Sequence, residues 1–152
     1  MKNLEKKLDK LKLKKKNEKV YYAKNRFYQF SINDIYELKR ISSKTEKLIR
    51  ICLHKNDNQK IQEMIIMHKQ PQSVGPLKQK KETISYHVLN GELDIQLSEK
   101  KIKKKFKIKK NESLRIPCNI FRKIKSTKKD TIFLEITSGP FKDTQTIWKK
   151  RI

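Results

Sequence analysis

The sequence predicts a mainly β protein, an antiparallel sandwich or barrel preceded by a helical N-terminal segment. Three observations carry that expectation. Beyond residue 45 the apolar residues fall into short runs of two-residue alternation separated by turn formers, the pattern of antiparallel strands rather than of βαβ units. Before that point the apolar period is helical. Near the middle, Asn90-Gly91 joins two alternating runs. An Asn-Gly pair in that setting signals a tight hairpin, because both central residues must take positive φ.

Taken in order, residues 2–19 carry Leu4, Leu8 and Leu11 at i, i+4 and i+7 among lysines, a narrow apolar stripe on a basic helix. Leucines without Trp or Phe point to a helix docked on its own domain or on a partner chain rather than on a membrane. Val20–Ala23 reads as a first strand. Ser31-Ile-Asn-Asp34 has the serine and the acid of a capping box, and Ile32, Ile35, Tyr36 and Leu38 continue it as a helix ending near Ser42. Strands then follow at residues 48–54, 61–68, 83–89, 92–97, 102–108, 113–116, 120–126 and 131–137. Around Ser98–Lys110 a lysine-rich hairpin places Ile102, Phe106 and Ile108 on one face, expected to pack while lysines line the other. Such lysines also blunt edge-to-edge pairing. The division expected is a basic helical and strand appendage over residues 1–45 and a β-barrel domain over 46–152.

A chain of 152 residues can bury a sizeable core. Lys and Arg number 40 against 16 acids, a formal charge of +24 that attracts polyanions. Glycine is scarce, at 3 residues, and Lys, Asn and Ile are abundant, which is how an AT-rich genome writes solvated faces. Nucleic acid is therefore a partner in the alternative reading and not the favoured one, since the lysines lack an interleaved aromatic ladder for base stacking. Cys52 and Cys118, each beside apolar residues, are expected to pack as small reduced hydrophobes. The lysine-rich start does not read as a signal peptide, and no run approaches the ~20 apolar residues of a membrane span. The expectation is a soluble, cytoplasmic protein.

Arg50-Ile-Cys-Leu-His54, Gln62-Glu-Met-Ile-Ile66, Pro76 with the strand through His87-Val-Leu-Asn-Gly91, Arg115-Ile116, Thr137-Ser-Gly-Pro-Phe141 and Trp148 together resemble the WbuC-type cupins. These are small jelly-roll proteins of bacterial surface-polysaccharide gene clusters. The resemblance implies a cupin-type double-stranded β-helix, open at one end, with a pocket there. Cupins generally bind a divalent transition metal through His-x-His, a following Glu and a final His, in two motifs punctuated by glycines. Counted back from Gly91, the glutamate position falls on Ile84 and the two histidine positions on Gln79 and Leu77. Counted around Pro117, the last histidine position falls on Arg122, and the motif's glycines fall on Asn111 and Asn119. Alkyl groups give no lone pair, an amide gives a weak neutral oxygen, and a guanidinium opposes a cation directly. No metal and no cofactor are expected. His54, His68 and His87 lie on three different strands without a short-spaced pair, so no replacement metal site is read from them.

An arginine aimed into a barrel needs an anionic partner. Glu63 and Glu135, acids within apolar strands, are the candidates for an internal pair with Arg122; the alternative is an anionic or carbohydrate ligand. His54, Arg115 and Gln79 complete the expected pocket. Tyr86 and His87 are the weak candidates for catalysis in a metal-independent sugar-nucleotide isomerase or epimerase, although neighbours on a strand face opposite sides. The resemblance also implies a homodimer.

Overall fold

The computed structural model describes residues 2–149. The chain runs α1 (Lys2–Lys10), β1 (Leu13–Lys15), β2 (Val20–Ala23), α2 (Ile32–Ile41), β3 (Leu48–Cys52), β4 (Ile61–His68), β5 (Gln72–Gln79), β6 (Ile84–Asn90), β7 (Glu92–Glu99), β8 (Ile102–Lys109), β9 (Ser113–Ile116), β10 (Phe121–Ser126), β11 (Thr131–Ser138), a 3-10 turn (Asp143–Gln145) and β12 (Thr146–Trp148). The strands form two facing sheets, a first of order β1-β2-β3-β4-β11-β6-β9 and a second of order β12-β5-β10-β7-β8. The architecture is the expected jelly roll.

Strand alternation assigns the two faces of the first sheet. Its inner side presents Ile66, Phe133, Tyr86 and Val88, which pack with Leu93, Ile95, Ile108 and Ile124 of the second sheet as the barrel core. Its outer side presents Ile49, Ile51, Ile65, Met67 and Ile132, covered by Leu8, Leu13, Tyr21, Ile35 and Leu38 of the N-terminal segment. Both sides of β4 are thus buried at once, which explains its unbroken Met64-Ile-Ile-Met67 run. Each such side chain contributes about 1.5–3 kcal/mol on burial, so the outer layer is comparable in size to the net stability of a domain. Strands from both sides of residue 45 share this sheet, since β2 pairs in parallel with β3, Tyr21 opposite Ile51.

The capping box at α2 forms as the spacing predicts: the Asp34 carboxylate accepts from the Ser31 N–H at 2.8 Å, and the Ser31 hydroxyl accepts from the Asn33 N–H at 3.3 Å. The helix is then pinned by Lys39, which donates to both Asp130 oxygens at 2.8 and 2.7 Å.

Several local expectations are corrected. The basic helix stops at Lys10; Lys12 takes φ +55 and Leu13, wholly buried, starts a strand paired with Ala23. Asn90-Gly91 is no hairpin turn. Asn90 ends β6 in the first sheet and Glu92 begins β7 in the second, so the pair is a corner between sheets. Gly91 alone takes positive φ, +81, while the Asn90 amide donates to the Asp130 carbonyl at 2.9 Å. The β5 strand is absent from the expected set; Gly75 and Pro76 form a bulge in it opposite Lys123, where a missing N–H is tolerated. On β8 only Ile108 packs: Ile102 and Phe106 are 58% and 37% exposed, because this edge strand overhangs the facing sheet. Cys118 is exposed, between Pro117 and a left-handed Asn119, whereas Cys52 is buried as expected.

The corner at Gly91 is testable. A Cβ there would lie 2.7 Å from the Thr131 hydroxyl oxygen, on a backbone L-residues rarely adopt. Gly91→Ala is expected to destabilise by about 2 kcal/mol, lowering Tm by roughly 4–8 °C in a thermal melt. A Tm unchanged within a degree would contradict this account of the corner.

Candidate functional site

Between the sheets lies a cavity of about 570 Å³. Its first-sheet wall is a row of inward-facing positions in mutual register, Tyr22, Cys52, Met64, Glu135 and Tyr86, contributed by β2, β3, β4, β11 and β6. Facing them are Val74, Leu77, Gln79, Arg122 and Ile124 of β5 and β10. Phe141 and Trp148, 40% and 61% exposed, lie at its edge.

The bulge in β5 shapes this wall. Gly75, at φ +100, lets the chain pass so close to β10 that a Cβ would sit 2.5 Å from the Arg122 carbonyl oxygen. Across the same pair, Arg122 stands opposite Leu77. Arg122 is 6% exposed. Its Nε donates to the Tyr86 hydroxyl at 2.8 Å and its Nη1 to the Gln79 side-chain oxygen. Neither Glu63 nor Glu135 pairs with it, which corrects the expected internal ion pair. Glu63 projects from the outer side of β4, between the inward-facing Gln62 and Met64. Glu135 does line the cavity, opposite Tyr86, but makes no salt bridge among the described residues.

The acid that comes nearest to that role is Glu82, on the β5–β6 connection. It is 6% exposed, and both its carboxyl oxygens are buried without a hydrogen-bond partner among the described residues. Burial raises its pKa above the ordinary carboxylate range, and the Arg122 charge only partly offsets this. Tyr86 is raised as well, by burial first and by the Glu135 charge second. The Glu82 carboxyl is not spent on holding the fold together, and both groups flank Arg122.

Of the residues singled out from sequence, the cavity gathers His54, Gln79, Tyr86, Arg122 and Glu135. His54 is a structural member of the group: its Nδ1 accepts from the Glu63 N–H at 3.0 Å, and its ring meets Tyr22 edge-on at 5.7 Å. Burial lowers the His54 pKa. Burial also lowers that of His68, to about 4, beside the Ser126 hydroxyl at 2.9 Å. His87 and Arg115 are outside. His87 takes the outer side of β6, its Nδ1 2.7 Å from the Ser113 hydroxyl, and Arg115 is exposed on β9 opposite Ser85. Sequence reasoning missed Arg50, Lys16 and Tyr22 as wall residues, because nothing local says that β2 adds itself beside β3.

The positions where cupins carry metal ligands can be inspected directly. Leu77 lies buried against the cavity, Ile84 is sealed in the barrel core, and Gln79 and Arg122 are bonded to each other. Among the described residues, no three His, Cys, Asp or Glu side chains converge to hold an ion. This donor set does not fit a divalent transition metal. The backbone of the second motif nevertheless persists: Asn111 and Asn119, standing at its glycine positions, take φ +69 and +63.

Comparison with known proteins places the fold. The structure is similar to the capsular polysaccharide assembling protein CapF from Staphylococcus aureus, with a TM-score of 0.61, 13% identity, and coverage of 70% of this chain and 33% of that one. It is similar to KdgF from Halomonas sp., with a TM-score of 0.52, 12% identity, and coverage of 67% and 87%. It is also similar to oxalate decarboxylase from Bacillus subtilis, with a TM-score of 0.52, 14% identity, and coverage of 60% and 24%. The chain thus spans most of KdgF but only a third and a quarter of the other two. No family model and no curated protein sequence matches it. The fold is the cupin-type jelly roll with N-terminal helices. No helix among the described residues is long and apolar enough to cross a membrane.

Glu82 gives a pH test. Its folded pKa lies above the unfolded value of about 4.3, so the folded state holds the proton more tightly. The resulting destabilisation is absent below about pH 4 and grows as pH rises through the folded value. Glu82→Gln is expected to stabilise the protein at pH 7 by on the order of 1 kcal/mol, seen as a higher Tm, and to converge with the parent protein near pH 4. Melts showing Glu82→Gln equally or less stable at pH 7 would remove the unpaired-carboxyl account.

Proposed function

We propose that this protein is a cupin-fold binding protein that works without a metal and takes a small acidic or hydroxyl-rich carbohydrate in its barrel. Its role would be accessory to surface-polysaccharide synthesis. The carrying observation is Arg122: a buried guanidinium held by two neutral groups, with an unpaired carboxyl, Glu82, also lining the cavity. A buried charge without a counter-charge costs several kcal/mol, and the oxygen atoms of a ligand, anionic or hydroxyl, would offset part of it. A carboxyl with free lone pairs accepts from sugar hydroxyls. Despite the +24 of the chain, the cavity wall mixes Lys16, Arg50 and Arg122 with Asp57, Glu82, Glu135 and Asp143, which suits a ligand with hydroxyls as well as an anion. The polysaccharide setting rests on the resemblance of residues 48–148 to WbuC-type cupins.

A sugar-nucleotide isomerase or epimerase acting through Tyr86 and His87 is less supported, since the two side chains face opposite sides of β6 and Tyr86 is held protonated by burial. Isothermal titration with glucuronate, glucose 1-phosphate and methyl glucoside tests the binding reading. Saturable one-site binding, unchanged by EDTA and weakened at least tenfold in Arg122→Gln, is expected, a loss of about 1.4 kcal/mol or more. Binding that EDTA abolishes and a divalent metal restores would overturn the metal-free reading. Equal affinity in Arg122→Gln would overturn the role of the guanidinium.

A further inference from the structure

A second guanidinium lines the same cavity on its far side. Arg50 stands on β3, one inward position before Cys52. Across the first sheet, Cys52, Met64, Glu135 and Tyr86 lie in one register row. Three strand steps of ~4.8 Å put the Arg50 side of the cavity roughly 14 Å from the Tyr86–Arg122 side, measured along the sheet.

What surrounds Arg50 leaves its charge unanswered. Its guanidinium makes no salt bridge and no side-chain hydrogen bond among the described residues, and its Nε is buried without a partner. The acid on that side, Asp57, is engaged elsewhere, accepting from the Tyr22 hydroxyl at 2.9 Å and lying 3.6 Å from the Lys16 ammonium. Cys52 and His68, which feel the Arg50 charge, are both kept neutral by burial, Cys52 raised to about 11 and His68 lowered to about 4. Lys16 adds a second cation to this end, 5.3 Å from the centre of the Tyr22 ring.

We propose that Arg50, with Lys16 beside it, is the anion seat of a two-ended ligand, an elongated sugar derivative. Its carboxylate or phosphate lies at Arg50, and its hydroxyl-bearing end reaches Arg122, Glu82 and Tyr86. The proposal rests on the reading that the cavity binds a carbohydrate, and it adds the length of that ligand and the position of its charge. A structural arginine would be bonded to the protein it supports; Arg50 is desolvated at Nε and bonded to none of it. Its half-buried guanidinium therefore keeps free donors that favour an anion.

Arg50→Met keeps the length of the side chain and removes the charge. It is expected to melt at or above the parent Tm, because no internal partner is lost. Calorimetry should show glucose 1-phosphate bound at least tenfold more weakly by Arg50→Met, with methyl glucoside affinity unchanged. Arg122→Gln, by contrast, should weaken both probes. Inorganic phosphate should compete with glucose 1-phosphate in the parent protein and not in Arg50→Met. A lower Tm in Arg50→Met, or equal loss of both probes, would show a structural arginine and overturn the proposal. Unchanged glucose 1-phosphate affinity would overturn it while leaving the carbohydrate reading intact, and failure of every probe to bind the parent would remove both. If Arg50→Met does not fold, Arg50→Lys serves. It keeps the charge but loses the fork, so weaker glucose 1-phosphate binding with methyl glucoside unaffected supports the seat, and parental binding of both overturns it.

Discussion

Arg122 is the constraint around which the barrel interior is arranged. A guanidinium cannot shed its charge, so the fold must supply oxygen atoms wherever β10 directs it. It does so with a phenol from the first sheet and an amide from the second, Tyr86 and Gln79, so the side chain ties the two sheets together across the cavity. Those bonds depend on the β5 bulge, which brings Gly75 against the Arg122 backbone and sets the pairing of Leu77 and Gln79 with β10 and β12. Neutral partners orient the charge without cancelling it. That is the difference between a polar strut and an ion pair, and it leaves the Arg122 side of the cavity electrostatically open.

How far this was legible in the sequence depends on the range of the signal. Period-two alternation located β6 through β11 to within a residue or two, because each strand buries one face and exposes its other or packs it beneath the outer layer. The capping box of α2 was equally local, and it formed. Asn90-Gly91 failed for the opposite reason. A turn signal reports that the chain bends, not which sheet receives the next strand, and here the bend crosses from one sheet to the other. Strand β5 escaped because Gly75 and Pro76, which form its bulge, interrupt the alternation.

The site was legible in outline. Counting the motif placed Arg122, Gln79 and Leu77 on the cavity wall, and Asn111 and Asn119 keep left-handed backbone at glycine positions although the ligand chemistry around them has changed. Backbone geometry and side-chain chemistry have therefore parted company within one motif. What could not be read was pairing between distant acids and bases: Glu63 and Glu135 were both plausible by type, and only the strand face separates them. Glu82 sits in a connection with no periodicity to assign its direction. Arg50 was hidden by the parallel addition of β2, a contact no local pattern encodes.

That parallel addition reaches further than extra stability. Lys16, Asn17, Val20 and Tyr22 belong to the stretch before the first antiparallel barrel strand, yet they form one wall of the cavity. The barrel supplies most of the cavity wall, and the leading segment supplies the rest. Its loop at Lys16–Lys19 is exposed, and it is held by the Asn17 side chain, which accepts from the Lys19 and Val20 N–H groups, and by the Lys19 carbonyl, which accepts from the Arg50 N–H at 2.7 Å. Exposed side chains of that loop, Lys16 and Asn17, line the cavity while its backbone stays bonded to β2 and β3. The shape and charge of the cavity can therefore diverge faster than the architecture that encloses it.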